Sequence, residues 1–383
     1  MIINGDSVVN TIQQLHTLGQ SVWCDSLSRR MIDSGELQRL IDLGVVGITS
    51  NPTIFAKAIV GSADYDERFH SLVDTDEEIV RIYEGLVLPD IADAADILRP
   101  VYERTRGEDG YVSLEVNPKL AYNPYATVAE ARRLFTQLDR RNVFIKVPAT
   151  DQGIPAIQTL ISEGINVNVT LIFSVSMHKR VMRAYIDGLK QLDRRGGDLS
   201  RVASVASFFV SRVDTLVDKL LEDKRSEGAN VEGLLGSTAI ANAQLAYARF
   251  QETFDLSGEF GELAARGARV QRPLWASTST KNPAYPDTKY VDGLVGPHTV
   301  NTMPPETIHA TLDHGATAVT LSGDISSAQS LLARLGEVGI NLTAATDQLT
   351  IEGVNAFAKS FDELLANLAE KREAFRAELL PKH

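Results

Sequence analysis

From residue 21 to residue 303, short apolar and β-branched runs take turns with stretches of helical periodicity. The runs are SVWCD (21–25), GVVGITSN (44–51), YVSLEV (111–116), VFIKV (143–147), INVNVT (165–170), VASVASFFV (202–210), RPLWAS (272–277) and HTVNTM (298–303). Apolar spacings of three and four mark the helices between them. Val8, Ile12 and Leu15 open the chain and stop at Gly19; Leu37, Leu40 and Ile41 stop at Gly44. Ile91, Leu98 and Val101 belong to a long helical stretch broken by Gly107 and Gly110. Val128, Ala131, Leu134 and Leu138 follow, then Ile157, Leu160 and Ile161 before Gly164, a helix from Ser174 to about Arg194, and helices near 211–224 and 237–254.

Strands separated by helices cannot pair as hairpins, so the pattern demands parallel pairing through crossovers. Eight such strands predict an α/β fold of the (β/α)8 TIM-barrel type, with additional N-terminal and C-terminal helices. A doubly wound nucleotide-binding sheet fits less well, because no G-x-G-x-x-G follows the first strand and no P-loop is present. After residue 304 the pattern gives a helix near 305–313, a glycine-interrupted stretch, and a final amphipathic helix. Val354, Phe357, Phe361, Leu364 and Leu368 form its apolar stripe. With no repeat and no low-complexity linker, the expectation is one barrel domain over 1–383. Residues 304–383 would be a helical extension packed on the barrel exterior or over one end.

The formal charge of −12 argues against nucleic acid or an anionic membrane as partner. No stretch reaches the roughly 18 apolar residues of a spanning helix, and no signal peptide is read at the N-terminus. Cys24 is the only cysteine, so no internal disulfide forms and the cytoplasm is the expected compartment. A small buried hydrophobe is the expected role for Cys24, and core or wall positions for Trp23 and Trp275. The seven histidines are scattered without an H-x-x-x-H pair, so no metal site is expected. The acidic run DTDEE (74–78) reads as the first turn of a helix. Monomer and homodimer stay equally open.

Within NVFIKVPATDQG (142–153), Lys146 interrupts a run that otherwise reads as a buried strand. A buried ammonium is expensive, so Lys146 either ends its strand in water or points its amine into a pocket as a reactive group. Barrels gather their chemistry at the C-terminal ends of strands. Read there, the chain offers Asp25; then Thr49, Ser50 and Asn51; Ser113, Glu115 and Asn117; Lys146; Asn168 and Thr170. Ser207, Phe209 and Arg212 follow, then Ser277, Thr278, Ser279 and Lys281. Singly, each has an ordinary explanation: Asp25 as a helix cap, Asn51 as turn chemistry before Pro52, Arg212 in a surface ion pair. Together they put a lysine, two acids, amides and hydroxyls on one rim. A lysine desolvated in an apolar strand supplies free amine for Schiff-base chemistry on a ketone. Glu115 and Asp25 are the carboxylates placed to move protons, and neither a metal nor a cofactor is then required.

At these residues the sequence resembles the transaldolases. GVVGITSNPTIF (44–55) and VFIKVPATDQG (143–153) carry the likeness, with SLEV (113–116), INVNVT (165–170) and SFFVSR (207–212) in the family's order. The resemblance spans roughly residues 20–320, and the tail is similar to that of the longer bacterial form. It implies that Lys146 forms the Schiff base with a ketose phosphate such as sedoheptulose 7-phosphate or fructose 6-phosphate. It makes Asp25 the acid/base at the C3–C4 bond, and Glu115 a proton shuttle through a water that Thr170 also holds. It implies substrate contacts from Asn51, Thr49, Ser113, Asn168, Ser207, Phe209, Arg212 and Ser277, with Ser207 and Arg212 on the phosphate. The dihydroxyacetone unit would pass to glyceraldehyde 3-phosphate or erythrose 4-phosphate. One stretch departs from the pattern: short transaldolases resemble Ala-Ser-Phe-Arg-Asn where this chain reads ASTSTKN (276–282). Lys281 would there replace an arginine across two extra residues. Fructose 6-phosphate aldolases of the same superfamily carry tyrosine and glutamine where this chain has Phe209 and Glu115. A non-catalytic phosphate-binding barrel is the remaining alternative.

Overall fold

Eight parallel strands close on themselves in chain order, β1 against β8 as well as each against the next. They are β1 (Gln20–Cys24), β2 (Gly47–Ile48), β3 (Tyr111–Glu115), β4 (Val143–Pro148), β5 (Val167–Ile172), β6 (Ser204–Phe209), β7 (Arg272–Ala276) and β8 (Thr299–Met303). The computed structural model describes residues 9–73, 77–321 and 325–379. All eight strands are buried, as a barrel jacketed by helices requires. The barrel is the one the alternation predicts.

Side chains on one strand alternate between the interior and the helical jacket. Ser21, Trp23 and Asp25 climb the inside of β1. Near the bottom, the Arg272 guanidinium lies 3.0 Å from Asp109, and both are under a tenth exposed. Asp109 also accepts hydrogen bonds from Trp23 Nε1 at 2.9 Å and Ser21 Oγ at 2.7 Å. Tyr111 stacks on Phe144 beside them, so the buried Arg272 charge at this end is satisfied by Asp109.

The second strand is much shorter than the expected 44–51. A Cβ on Gly47 would come within 2.5 Å of the Trp23 indole, so the strand passes at this point only because Gly47 has none. Beyond Ile48 the chain turns into a helix, Pro52–Ile59, with Asn51 as its N-cap and Pro52 in the first turn. The helical stretch expected before β3 is several helices, including Asp66–Val73 and the long Ile79–Arg104. Asp74 to Asp76 of the acidic run and Val8 lie outside the described residues; Glu77 and Glu78 precede the long helix instead of forming its first turn, and Glu78 at the N-cap makes no side-chain capping bond.

Helices not anticipated include Arg29–Asp33, Glu259–Ala264, Lys289–Asp292 and Ile325–Glu337, the last within the glycine-interrupted stretch. Cys24, Trp23 and Trp275 are fully buried. No helix among the described residues is long and apolar enough to cross a membrane.

The last helix, Leu342–Leu379, runs across the C-terminal end of the barrel. Ser360 accepts a hydrogen bond from Thr53 at 2.9 Å, Asp362 pairs with Lys119, and Lys371 pairs with Asp66. A further docking contact comes from β5. Leu171 adopts φ +59° at an irregularity in the β5–β6 register, and its side chain enters a notch at Gly353, where a Cβ would approach Leu171 Cδ2 to 2.8 Å. A glycine in mid-helix costs about 1 kcal/mol of propensity, and close approach is the reason to accept that cost.

Candidate active site

Parallel register places Glu115, Lys146 and Asn168 side by side on neighbouring strands, all facing the interior. Lys146 Nζ lies 3.7 Å from Glu115 Oε2 and donates to the Ser50 carbonyl at 3.3 Å. Its side chain is 5% exposed, with Ile145 and Val147 buried on the opposite face of the strand. This is the pocket-facing alternative for the lysine, in a barrel interior with little water. Both Glu115 carboxylate oxygens and the Thr170 hydroxyl are buried without a hydrogen-bond partner. Unpartnered buried polar atoms of this kind are suited to hold water.

Beside and below the lysine runs a chain of hydrogen bonds. Ser207 Oγ donates to Asn168 Oδ1 at 2.7 Å, and Asn168 Nδ2 donates to Ser113 Oγ at 3.0 Å. Ser50 Oγ donates to the Ser113 carbonyl at 2.6 Å. Ser113 and Asn168 are fully buried; Asn168 is level with Lys146, and Ser113, paired with Phe144 two residues earlier along β4, fixes the Asn168 amide. Asn51 spends its Oδ1 on capping the helix, at 3.0 Å from Ile54 N. On the other side, Thr49 Oγ1 donates to Asp25 Oδ1 at 2.6 Å and lies 2.6 Å from Thr302 Oγ1.

Above this level opens a cavity of about 290 Å³. Its wall contains Asp25, Thr49, Asn51, Lys146, Ser207, Phe209, Arg212, Ser277 and Lys281. Ser277 holds φ +55° and its hydroxyl lies 2.9 Å from Ser211 Oγ. The Arg212 guanidinium sits 5.2 Å from the centre of the Phe209 ring. Lys281 is exposed and donates to Ser279 Oγ at 2.6 Å. The wall of one cavity therefore carries the Lys146 amine, the carboxyls of Asp25 and Glu306, and the cations Lys57, Arg212 and Lys281.

The profile of the family described as Transaldolase/Fructose-6-phosphate aldolase matches residues 22–368. The chain belongs to that family. A transaldolase of Saccharopolyspora erythraea is 49% identical over 367 residues, covering 94% of this chain and 98% of its own. That of Thermobifida fusca is 49% identical over 365 residues, 95% of this chain and 98% of its own. That of Trichodesmium erythraeum is 45% identical over 373 residues, again 95% and 98%. The family match runs from within β1 to residue 368, so it takes in the final helix as well as the barrel.

Electrostatics divides the work in this family member. Burial raises the Glu115 carboxyl from 4.5 to about 7, with the neighbouring Lys146 pulling it back and Asp25 adding to the rise. At neutral pH it is poised to give and take protons. Burial also raises Asp25, opposed by Lys146, the Thr49 hydrogen bond and Arg212, while Glu306 pushes the same way as burial. Arg212 is lowered by burial, with Asp25 opposing.

Several wall residues escaped the sequence reading: Thr53, Lys57, Thr302, Glu306 and Phe357. For Lys57 a signal existed. Asn51-Pro52 is a helix start, and an exposed lysine one turn and a half into that helix lies beside the cavity. Phe357 carried no such signal, since it sits in a stripe that reads as ordinary core.

Proposed function

We propose that this chain is a transaldolase, transferring a dihydroxyacetone unit between sugar phosphates through a Schiff base on Lys146. The observation that carries this is a buried lysine amine 3.7 Å from a carboxyl raised to about 7, at the C-terminal end of a barrel. The amine adds to C2 of fructose 6-phosphate or sedoheptulose 7-phosphate, and the carbinolamine loses water to give an iminium. Glu115, with a water shared by Thr170, supplies and recovers the protons. Asp25 takes the proton from the C4 hydroxyl as the C3–C4 bond breaks. The electron pair enters the iminium to give an enamine, and an aldose phosphate leaves. The enamine carbon then attacks the aldehyde of glyceraldehyde 3-phosphate or erythrose 4-phosphate, Asp25 returns the proton, and water releases the new ketose from Lys146. Asn51, Asn168, Ser207 and Thr49 orient the bound unit, with Ser113 holding the Asn168 amide from beneath. Arg212 and Ser277 take the phosphate, with Lys281 as an outer charge.

The family description also covers fructose 6-phosphate aldolases, in which the fragment is released rather than transferred. Glu115 and Phe209 favour transfer, by the resemblance already given. In this reading the whole chain acts as one unit, with the segment after residue 304 closing the site. A lone buried cysteine suits a reducing compartment, the cytoplasm.

Borohydride reduction in the presence of fructose 6-phosphate tests the reading directly. Intact mass shows a dihydroxyacetone-sized adduct on the wild type and none on Lys146→Met. Turnover then depends on an added acceptor aldose phosphate. An adduct on both proteins would place the nucleophile elsewhere and overturn the assignment of Lys146.

A further inference from the structure

Phe357 belongs to the final helix, more than two hundred residues from the lysine in sequence, yet it lines the cavity. Its ring centre is 5.7 Å from Lys146 Nζ, and the residue is only 4% exposed. The docking described above holds it there: Leu171 seated at Gly353 one turn before, and Ser360 bonded to Thr53 one turn after. Thr53 itself lines the same cavity. Tyr83 meets Phe361 edge to face at 5.3 Å, fixing the next turn.

We propose that Phe357 biases the enamine toward transfer over release, by limiting the water that reaches the carbon bound to Lys146, beyond the one held at Glu115, while the acceptor is awaited. This rests on the Schiff-base reading above. After the donor's aldose phosphate has left, the enamine on Lys146 has two fates. Attack on an acceptor aldehyde forms a new C–C bond. Alternatively the enamine carbon takes up a proton, one water adds to C2, and the C–N bond breaks to free dihydroxyacetone and the amine. The second route takes a proton at the enamine carbon and one water at C2. Transfer also ends in hydrolysis at C2, but only after the new C–C bond has formed, so the ratio of release to transfer reports how readily the enamine meets water first. A phenyl ring beside Nζ occupies space that would otherwise hold water. A polar gap of only about 10–15 Å³ of probe-centre volume is enough to admit one, far less than a phenyl group leaves behind. Phe209, on β6, lines the same cavity from the barrel itself. The final helix supplies a second aromatic wall that the barrel cannot.

The test measures, in one preparation, dihydroxyacetone released and dihydroxyacetone transferred to erythrose 4-phosphate, with fructose 6-phosphate as donor. In Phe357→Ala the ratio of release to transfer rises about tenfold over wild type. In Phe357→Leu, which keeps the helix packed, the rise is intermediate. A misfolded fraction lowers both products equally and leaves the ratio alone. An unchanged ratio in Phe357→Ala, or in Phe357→Leu should the alanine variant yield no folded protein, overturns the proposal. That result is distinct from failure of the Schiff-base reading, in which the wild type itself gives neither adduct nor transfer.

Discussion

Lys146 Nζ and Glu115 Oε2 stand 3.7 Å apart in the barrel interior, on side chains 5% and 1% exposed. Neither residue is near the other in sequence; adjacent parallel strands bring them into register. The pair has a measurable consequence. Glu115 is raised from 4.5 to about 7, chiefly by burial, so the folded state binds its proton more tightly than the unfolded chain. That stability is fully present below about pH 4.5 and is lost as pH rises through about 7. Compared with Glu115→Gln, the wild type therefore loses melting temperature across that window. Equal pH dependence of the two melting curves would show that Glu115 titrates normally. In turnover, Glu115→Gln falls by about a hundredfold, and the pH-rate limb near neutrality disappears.

Arg212 and Lys281 differ in setting, and their removal should differ in effect. Arg212 is half-buried against Phe209, whereas Lys281 lies exposed at the rim. Arg212→Ala raises KM for the donor phosphate by about a hundredfold, because a charge-assisted fork in a poorly hydrated site is lost. Lys281→Ala raises it by no more than about threefold, since an exposed point charge is screened. Steady-state kinetics at low and moderate salt separates the two; equal losses would contradict the placement of the phosphate at Arg212.

Leu171 in its notch at Gly353 predicts an overpacking mutant. Alanine at 353 brings a Cβ to 2.8 Å from Leu171 Cδ2. Helix propensity favours the substitution by about 1 kcal/mol, while overpacking costs about 1–3 kcal/mol. Gly353→Ala therefore lowers the melting temperature and exposes the final helix to proteolysis. A rise in melting temperature would mean that the notch is looser than it stands here.

At the opposite end of the barrel, Asp109 accepts from Ser21, Trp23 and Arg272. Asp109→Ala leaves the Arg272 charge buried without its partner, a loss of about 3–5 kcal/mol. The melting temperature drops, and KM for the sugar phosphate stays as in the wild type because the cavity lies at the other end. A parallel change in KM would show that the two ends are coupled.

Much of this architecture was legible in the sequence because it is local. Alternation between β-rich runs and helical spacing fixes a parallel barrel, since residue period reports which face is buried. The lysine at 146, flanked by Ile145 and Val147, and the polar residues at strand ends are visible for the same reason. Shorter features were harder. The two-residue β2 depends on Trp23 facing Gly47, a contact between neighbouring strands with no signature in either segment. Ser113 and Asn168 both read as strand-end residues; only the register separates them, with Asn168 beside Lys146 and Ser113 paired with Phe144, two residues earlier along β4.

What the sequence by itself determined, then, was the order of the strands and the chemistry carried at their ends, because both follow from periodicity and residue type. Tertiary structure alone decided the 3.7 Å approach of Glu115 to Lys146 and the arrival of Phe357 above the amine. An apolar stripe on a helix states only that something must cover it. Which surface does so depends on shape, here the fit of Leu171 to Gly353, and that exists only once the barrel has closed.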